Sequence, residues 1–343
     1  MSIEVVPLAP GDYAQWDSYM SDKRASIYYD TRWIDLIQQV FGQTCHHLVA
    51  KQRGEIIGGL PMVQLKSLLF GNFMVSMPYF NYGGLVASSK ESASQLLSAG
   101  CKLSRDLGCK HFELRFDQPI DASLTERKDK VTMLLDLPPN ADELWHAIGS
   151  KRRAQVKRPI REGVTFTTGG VELLDDFYAV FAHNMRDLGT PVYSKRFFKE
   201  ILTRFEDESF LAIVHLNDEA VGAGFLIGRQ GRLEIPWAST LRKTNRIGVN
   251  MFLYWNILKT AIEKEFKVFD FGRSSKDAGT LKFKRQWGAK EKQLYWYYDL
   301  PQGQPLPDLN PASGKYNTAI SVWQKLPVSL TKICGPLIVK NLP

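Results

Sequence analysis

The sequence predicts an α+β fold made of two copies of one unit. Two observations predict it. A hairpin with glycines inside its second strand occurs once in each half. Each hairpin is then followed by a further strand, a helix and a last strand at similar offsets: Gly58 and Gly222 lie 164 positions apart, Phe112 and Phe269 157.

In the first half His47–Lys51 reads as a strand, Arg53-Gly54 as a turn and Glu55–Leu65 as the next strand. In the second half Phe210–His215 is a strand, Asn217-Asp218 a turn and Ala220–Arg229 the next strand. Turn residues between alternating apolar runs are the hairpin signal. The helices that follow are expected at about Ser92–Leu107 and Asn250–Phe266, and the last strands at His111–Phe116 and Lys267–Phe271. Pro138-Pro139 blocks helix, and Asn140 is a good N-cap for a helix over Ala141–Ser150. The expected domains are therefore 1–138, 139–300 and a tail, 301–343. The tail begins Pro-rich, then offers an amphipathic stretch, Tyr316–Lys325, and an apolar, lysine-flanked end, Ile333–Val339.

With 343 residues each half can bury its own core. The net charge of +8 suits phosphate-bearing substrates, nucleic acid or anionic lipid. The four cysteines lack metal or disulfide spacing, and the six histidines do not cluster, so no metal is expected. The N-terminus has no signal-peptide pattern, and no apolar run approaches the ~20 residues of a spanning helix. The expectation is a reduced, cytoplasmic protein. Nucleotide-loop, nucleophile-elbow and zincin motifs are absent.

Three segments carry candidate chemistry. Lys151–Arg161, KRRAQVKRPIR, holds six basic residues. Val156 and Ile160 continue an apolar side at helical spacing, so Lys151, Arg152 and Arg153 project from a defined face that either holds phosphates or is simply solvated. In Leu241–Tyr254, Arg242, Lys243 and Arg246 precede Gly248 and a helix starting near Asn250, with Met251 and Tyr254 on its core face. The helix N-terminus there is either an anion site or a capped helix with basic neighbours. In Val268–Trp287 a strand ends in Asp270 and opens into Gly272-Arg273-Ser274-Ser275, then Lys282-Phe283-Lys284 and Trp287. Asp270 either orients or deprotonates an amine, or pairs with Arg273. Lys284 can present a cation to a developing oxyanion or sit against an aromatic neighbour.

Taken together, these residues resemble the Fem-type aminoacyltransferases of the GNAT superfamily, and more narrowly the FemAB-related proteins found with PEP-CTERM/exosortase exopolysaccharide systems. The motifs that carry the resemblance are Lys151-Arg-Arg, Leu188-Gly-Thr-Pro191 with Arg196-Phe-Phe, Asn250–Trp255, Phe269-Asp-Phe-Gly-Arg-Ser274, Phe283-Lys-Arg-Gln-Trp-Gly288 and Lys325-Leu-Pro with Gly335-Pro336. The resemblance is clear from about residue 140 onward. It implies tandem GNAT-like domains (the acyl-CoA N-acyltransferase fold), each a mixed, mostly antiparallel sheet flanked by helices, with most of the site in the second.

The resemblance further implies transfer of an acyl or aminoacyl group to an amine, in assembly of cell-envelope polysaccharide or peptidoglycan precursor. No tightly bound cofactor is implied; the donor is aminoacyl-tRNA or acyl-CoA as co-substrate. The family's catalytic lysine after phenylalanine falls on Lys284. The acyl-CoA pyrophosphate element falls on Arg246–Asn250 without the full glycine pattern, and Pro159 interrupts the basic helix. The implied catalytic set is Lys284, Asp270 and Arg273. Substrate would be held by Lys151, Arg152, Arg153, Arg246, Asn250, Tyr254, Ser274 and Trp287. Expected partners are a phosphate-bearing sugar or lipid-linked acceptor and charged tRNA, with the tail a candidate for peripheral contact at the inner face of the membrane; DNA is not expected. The competing class is a non-catalytic binder of anionic glycolipid or RNA on the same fold.

Overall fold

The computed structural model describes residues 2–68, 70–276, 279–307, 314 and 317–343. The chain forms two compact units. One comprises Met1–Lys130, Gln293–Asp308 and Lys340–Pro343; the other comprises Val131–Lys292 and Leu309–Val339.

The first unit holds a four-stranded and a six-stranded sheet. The expected strand Glu55–Leu65 is two strands, Glu55–Leu60 in the smaller sheet and Val63–Ser67 in the larger. Pro61 lies between them; it has no N–H to continue a ladder, so the chain changes sheet there. The Lys90–Asp106 helix is closed by a capping box in which Ser89 and Ser92 satisfy each other's backbone. Leu96 and Cys101 on its buried face join Leu60, Met62, Met74, Phe112 and Leu114 in the core.

The second unit is a seven-stranded sheet in the order Thr165–Gly169, Ser209–Leu216, Glu219–Arg229, Arg232–Thr240, Val268–Ser275, Lys130–Asp136 and Lys290–Gln293. The Val249–Glu263 helix makes the crossover that a parallel pair needs, and Arg232–Thr240 runs parallel to Val268–Ser275. An aromatic cluster of Phe177, Phe181, Phe197, Phe198, Phe225 and Trp237 fills the core, with ring centroids mostly 5–6 Å apart at steep angles.

The two hairpins share a defect as well as an order. In the first, Ala50 pairs with Gly58 and Lys51 with Ile56, so Ile57 is extra. In the second, Val214 pairs with Gly222 and His215 with Ala220, so Val221 is extra. A bulge at the same place, just before the same glycine, is what a duplicated unit would retain. Each unit also has a parallel pair that ends at an acid, Val75↔Glu113 in the first and Glu234↔Asp270 in the second.

The unit boundaries differ from the expected 138/139 and 300/301. Lys130–Asp136 belongs to the second unit's sheet, and Tyr295–Asp299 lies in the first unit's sheet between Phe112–Phe116 and Thr125–Arg127. Pro138-Pro139 and Pro301 end elements; they do not say which sheet a strand joins. Residues 309–339, expected as part of a separate tail, belong to the second unit. Its helices Asn317–Trp323 and Val328–Val339 fall on the two stretches read from the sequence as amphipathic and apolar, of which Tyr316 lies outside the described residues. Among the described residues no helix is long and apolar enough to cross a membrane.

Candidate functional site

The parallel pairing between Arg232–Thr240 and Val268–Ser275 covers only Arg232↔Val268, Leu233↔Phe269 and Glu234↔Asp270. Beyond Asp270 the two strands no longer pair, and the backbone turns at Gly272, whose φ is +73°. That left-handed conformation strains a residue with a Cβ, so glycine is favoured at this turn. It sends the Gly272 N–H back to Asp270 Oδ1 at 2.8 Å and the Gly272 carbonyl toward Lys284.

Asp270 is fully buried. Its Oδ1 accepts from Thr132 Oγ1 at 2.6 Å as well as from Gly272, and its Oδ2 accepts from Arg232 Nη2 at 2.5 Å. Of the two roles open to Asp270, the pairing reading therefore takes a different partner: Arg232 reaches it, while Arg273 is exposed. A carboxylate that accepts from Thr132, Gly272 and Arg232 shapes the turn.

Lys284 lies on the Gly279–Arg285 helix and is only 7% exposed. Its Nζ donates to the Gly272 carbonyl at 2.8 Å and the Arg273 carbonyl at 3.0 Å. Burial pulls its pKa down to about 8; the charges of Asp270 and Glu234 oppose that pull and Arg273 adds to it. An ammonium has three N–H donors. Two are taken by the turn, and among the described residues the third has no acceptor.

Two further donors are buried nearby in sequence. Ser274 Oγ and Trp287 Nε1 have no hydrogen-bond partner among the described residues, although Ser274 is 4% and Trp287 2% exposed. A buried donor without a partner is costly, so such groups point to a ligand or water that completes them. Tyr254 packs between Phe271, stacked at 5.7 Å, and Phe283, edge-on at 4.9 Å. Burial raises its phenol well above the ordinary value.

Glu234 was not singled out from the sequence. It is 6% exposed, in register with Asp270, and its charge acts on Lys284. The available signal was a lone acid in the apolar run Leu233–Trp237, a position where an unpaired carboxylate would be expensive.

The basic helix differs from expectation in three ways. It runs unbroken over Gly149–Arg161, with Pro159 in its last turn. Its buried positions are Val156 and Pro159, and Ile160 is 55% exposed. The proline ring takes the core position because it sits three residues after Val156. Pro159 cannot donate to the Gln155 carbonyl, and Gly248 lies against that carbonyl: a Cβ there would be 3.5 Å from the Gln155 oxygen. Gly248 adopts φ +88° as N-cap of the Val249–Glu263 helix.

Third, two of its cations are engaged locally. Arg152 Nη1 donates to the Ile148 carbonyl at 3.1 Å, and Arg153 Nη1 to those of Trp145 and His146 at 3.2 and 3.3 Å. They satisfy the end of the Ala141–Ala147 helix, whose start is capped by Asn140 as expected. Lys151, Lys157, Arg158, Arg161 and Arg246 are exposed, and Asn250 is half-buried on the first turn of its helix. The basic helix packs on the Val249–Glu263 helix, and Trp145 of the preceding Ala141–Ala147 helix is in ring contact with Trp255 at 4.5 Å. The chain thus brings the two expected anion-binding segments together, and it gathers Asp270, Lys284 and Glu234 around one turn.

Residues 150–285 match the family model described as acetyltransferase (GNAT) domain. That span contains Lys151 through Lys284. The search of curated proteins gave no match. Among solved structures, FemX superposes with a TM-score of 0.65 at 13% identity, covering 86% of this chain and 97% of that one. L-PGS from Bacillus licheniformis gives 0.56 at 13%, covering 92% and 96%. A tandem GNAT protein from the clavulanic acid biosynthesis pathway gives 0.56 at 10%, covering 87% and 98%. These likenesses and the duplicated bulge establish the architecture: the chain is a tandem α+β protein of the GNAT fold, with an acyltransferase-type domain in its second unit.

Proposed function

We propose that this protein is an N-acyltransferase or aminoacyltransferase that forms an amide on an amine acceptor in cell-envelope polysaccharide or peptidoglycan-precursor assembly. The observation that carries the reading is Lys284: a desolvated ammonium, clamped by two carbonyls at the turn where the parallel strands part, with one N–H unspent.

In this reading a neutral amine attacks the carbonyl of an ester or thioester donor. The carbonyl oxygen becomes an oxyanion, which the free N–H of Lys284 stabilises. Collapse breaks the bond to the tRNA oxygen or the CoA sulfur, and the proton that the amine gives up passes to that leaving atom, which departs as the hydroxyl or the thiol. Ser274 and Trp287 offer their buried donors to the same reactants. Asp270 acts through the turn by holding Gly272 and Arg232. Arg273, exposed beside it, meets anionic groups of substrate. No side chain becomes acylated.

Lys151 and Arg246, with Asn250 at the helix start, hold the phosphates of a sugar- or lipid-linked acceptor or of the donor. Arg152 and Arg153 contribute mainly by fixing the basic helix, and Tyr254 by walling the site with Phe283. The resemblance to FemAB-related proteins of PEP-CTERM systems favours exopolysaccharide as the setting, and a site of action in the cytoplasm. The donor is aminoacyl-tRNA or acyl-CoA.

Incubating the full chain with amino-sugar acceptors and either acyl-CoA or charged tRNA, followed by mass spectrometry, tests this. The expected result is an acceptor heavier by one acyl or aminoacyl group with one of the donors. No transferred mass with any donor would favour the non-catalytic binder of anionic glycolipid or RNA.

A further inference from the structure

Four charged side chains meet where the parallel strands part. Glu234 and Asp270 are the last register pair of that ladder, so their carboxylates lie on the same face of the sheet. Both residues are buried. Like charges so close raise each other's cost, and two cations stand against them. Arg232 pairs with Asp270 through Nη2 and Oδ2 at 2.5 Å. Lys284, also buried, is fixed at the Gly272 and Arg273 carbonyls. The corner therefore holds two acids and two cations.

The proton on Lys284 decides what the turn can offer. As an ammonium Lys284 has three N–H groups, and the two carbonyls take two of them. As a neutral amine it has only two, and the carbonyls take both. Loss of one proton thus removes the donor that the reaction uses. Burial works toward that loss, the charges of Asp270 and Glu234 work against it, and exposed Arg273 adds to the pull of burial. The remaining ionisable groups nearby are Tyr254, Lys282 and Arg285. Burial keeps the Tyr254 phenol, edge-on to Phe283, neutral. Lys282 and Arg285 are exposed on the same helix as Lys284, and Arg285 donates to Glu291.

We propose that Glu234 is a positioning residue for acyl transfer: its carboxylate keeps Lys284 in the ammonium form, so that the third N–H is there for the oxyanion. Glu234 acts only through Lys284. This role rests on the reading of Lys284 as the oxyanion donor. Asp270 contributes charge in the same way, but it also holds Gly272 and Arg232. Substitution of Glu234 therefore changes the charge while leaving those bonds of the turn in place.

The first measurement needs no activity. In the full chain, isotope-labelled at lysine Cε, the Lys284 resonance is identified by its loss in Lys284→Met. Its titration midpoint is expected at about 8 in the wild type. In Glu234→Gln it is expected roughly one pH unit lower, the size of shift that one nearby charge produces. With the donor that supports transfer, the alkaline limb of kcat against pH is expected to move down by the same amount. An unmoved midpoint in a Glu234→Gln protein that is folded by circular dichroism overturns the proposal, whether or not transfer is detected. A midpoint that moves while the alkaline limb stays in place contradicts Lys284 as the oxyanion donor, and the role of Glu234 in transfer falls with it. Should Glu234→Gln not fold, Glu234→Asp draws the charge back by one methylene and is expected to lower the midpoint by a smaller amount. An unmoved midpoint there overturns the proposal as well.

Discussion

Lys284 is held in a setting where its charge is costly, and that gives a measurable signature. Its folded pKa of about 8 lies below the ordinary lysine value of 10.5. Below pH 8 both folded and unfolded chains carry the proton, and the folded state bears the full burial cost. Between about 8 and 10.5 the unfolded chain holds the proton and the folded chain does not, so stability rises with pH across that window. The relief is on the order of 3 kcal/mol. Lys284→Met removes the titration, so the variant should gain stability over the wild type below pH 8 and lose that advantage by pH 10.5, as read by urea melts. Parallel curves would show that Lys284 is not desolvated. The acid on the equivalent strand of the first unit shows a contrast. Burial pushes the Glu113 carboxyl up, but Arg115 and Tyr298 outweigh that and hold it below the usual range. Arg115 also donates to the Met77 and Phe80 carbonyls and lies over Trp296, so the first unit fills this place with its own side chains.

Elements decide which residues meet. The contact between the basic helix and the Val249–Glu263 helix depends on two local irregularities, Pro159 and Gly248, facing each other. Gly248→Ala would strain a left-handed N-cap by roughly 1–2 kcal/mol. Its Tm should fall by several degrees, whereas Asn245→Ala, exposed in the same loop, should leave it unchanged; an unshifted Gly248→Ala would mean that the helix pair tolerates looser packing. The sequence made this pairing partly legible. Glycine before a helix and a cationic run at helical spacing are local signals. What was hidden is how cations are used: Arg152 and Arg153 look like Lys151 in the sequence, yet their side chains curl back to carbonyls at the end of the preceding helix. Asp270 and Lys284 stood out because a strand end and a polar turn bracket them. Glu234 did not, because its partners arrive from a strand more than thirty positions away, through a parallel register that no local pattern encodes.

At the scale of the whole molecule the repeat was readable from glycine and strand spacing, while the borders of the units were not. Prolines at 138, 139 and 301 punctuate the chain, but sheet membership is set by long-range pairing. Tyr297→Pro, in the middle of Tyr295–Asp299, would break the pairing of that strand with both of its neighbours in the first unit. Its first unit should unfold well before its second in a thermal scan followed by limited proteolysis; a variant that keeps both units equally protected would show that this strand is dispensable to the first unit. The central claim is that the second unit performs acyl transfer with Lys284 as the charge that stabilises the transition state. Its most direct test compares kcat of wild type and Lys284→Ala with the donor that supports transfer, after circular dichroism confirms that both are folded. The account predicts a loss of about 10²-fold or more. A Lys284→Ala enzyme within about threefold of wild type would contradict it, since that effect is far below what one oxyanion donor supplies.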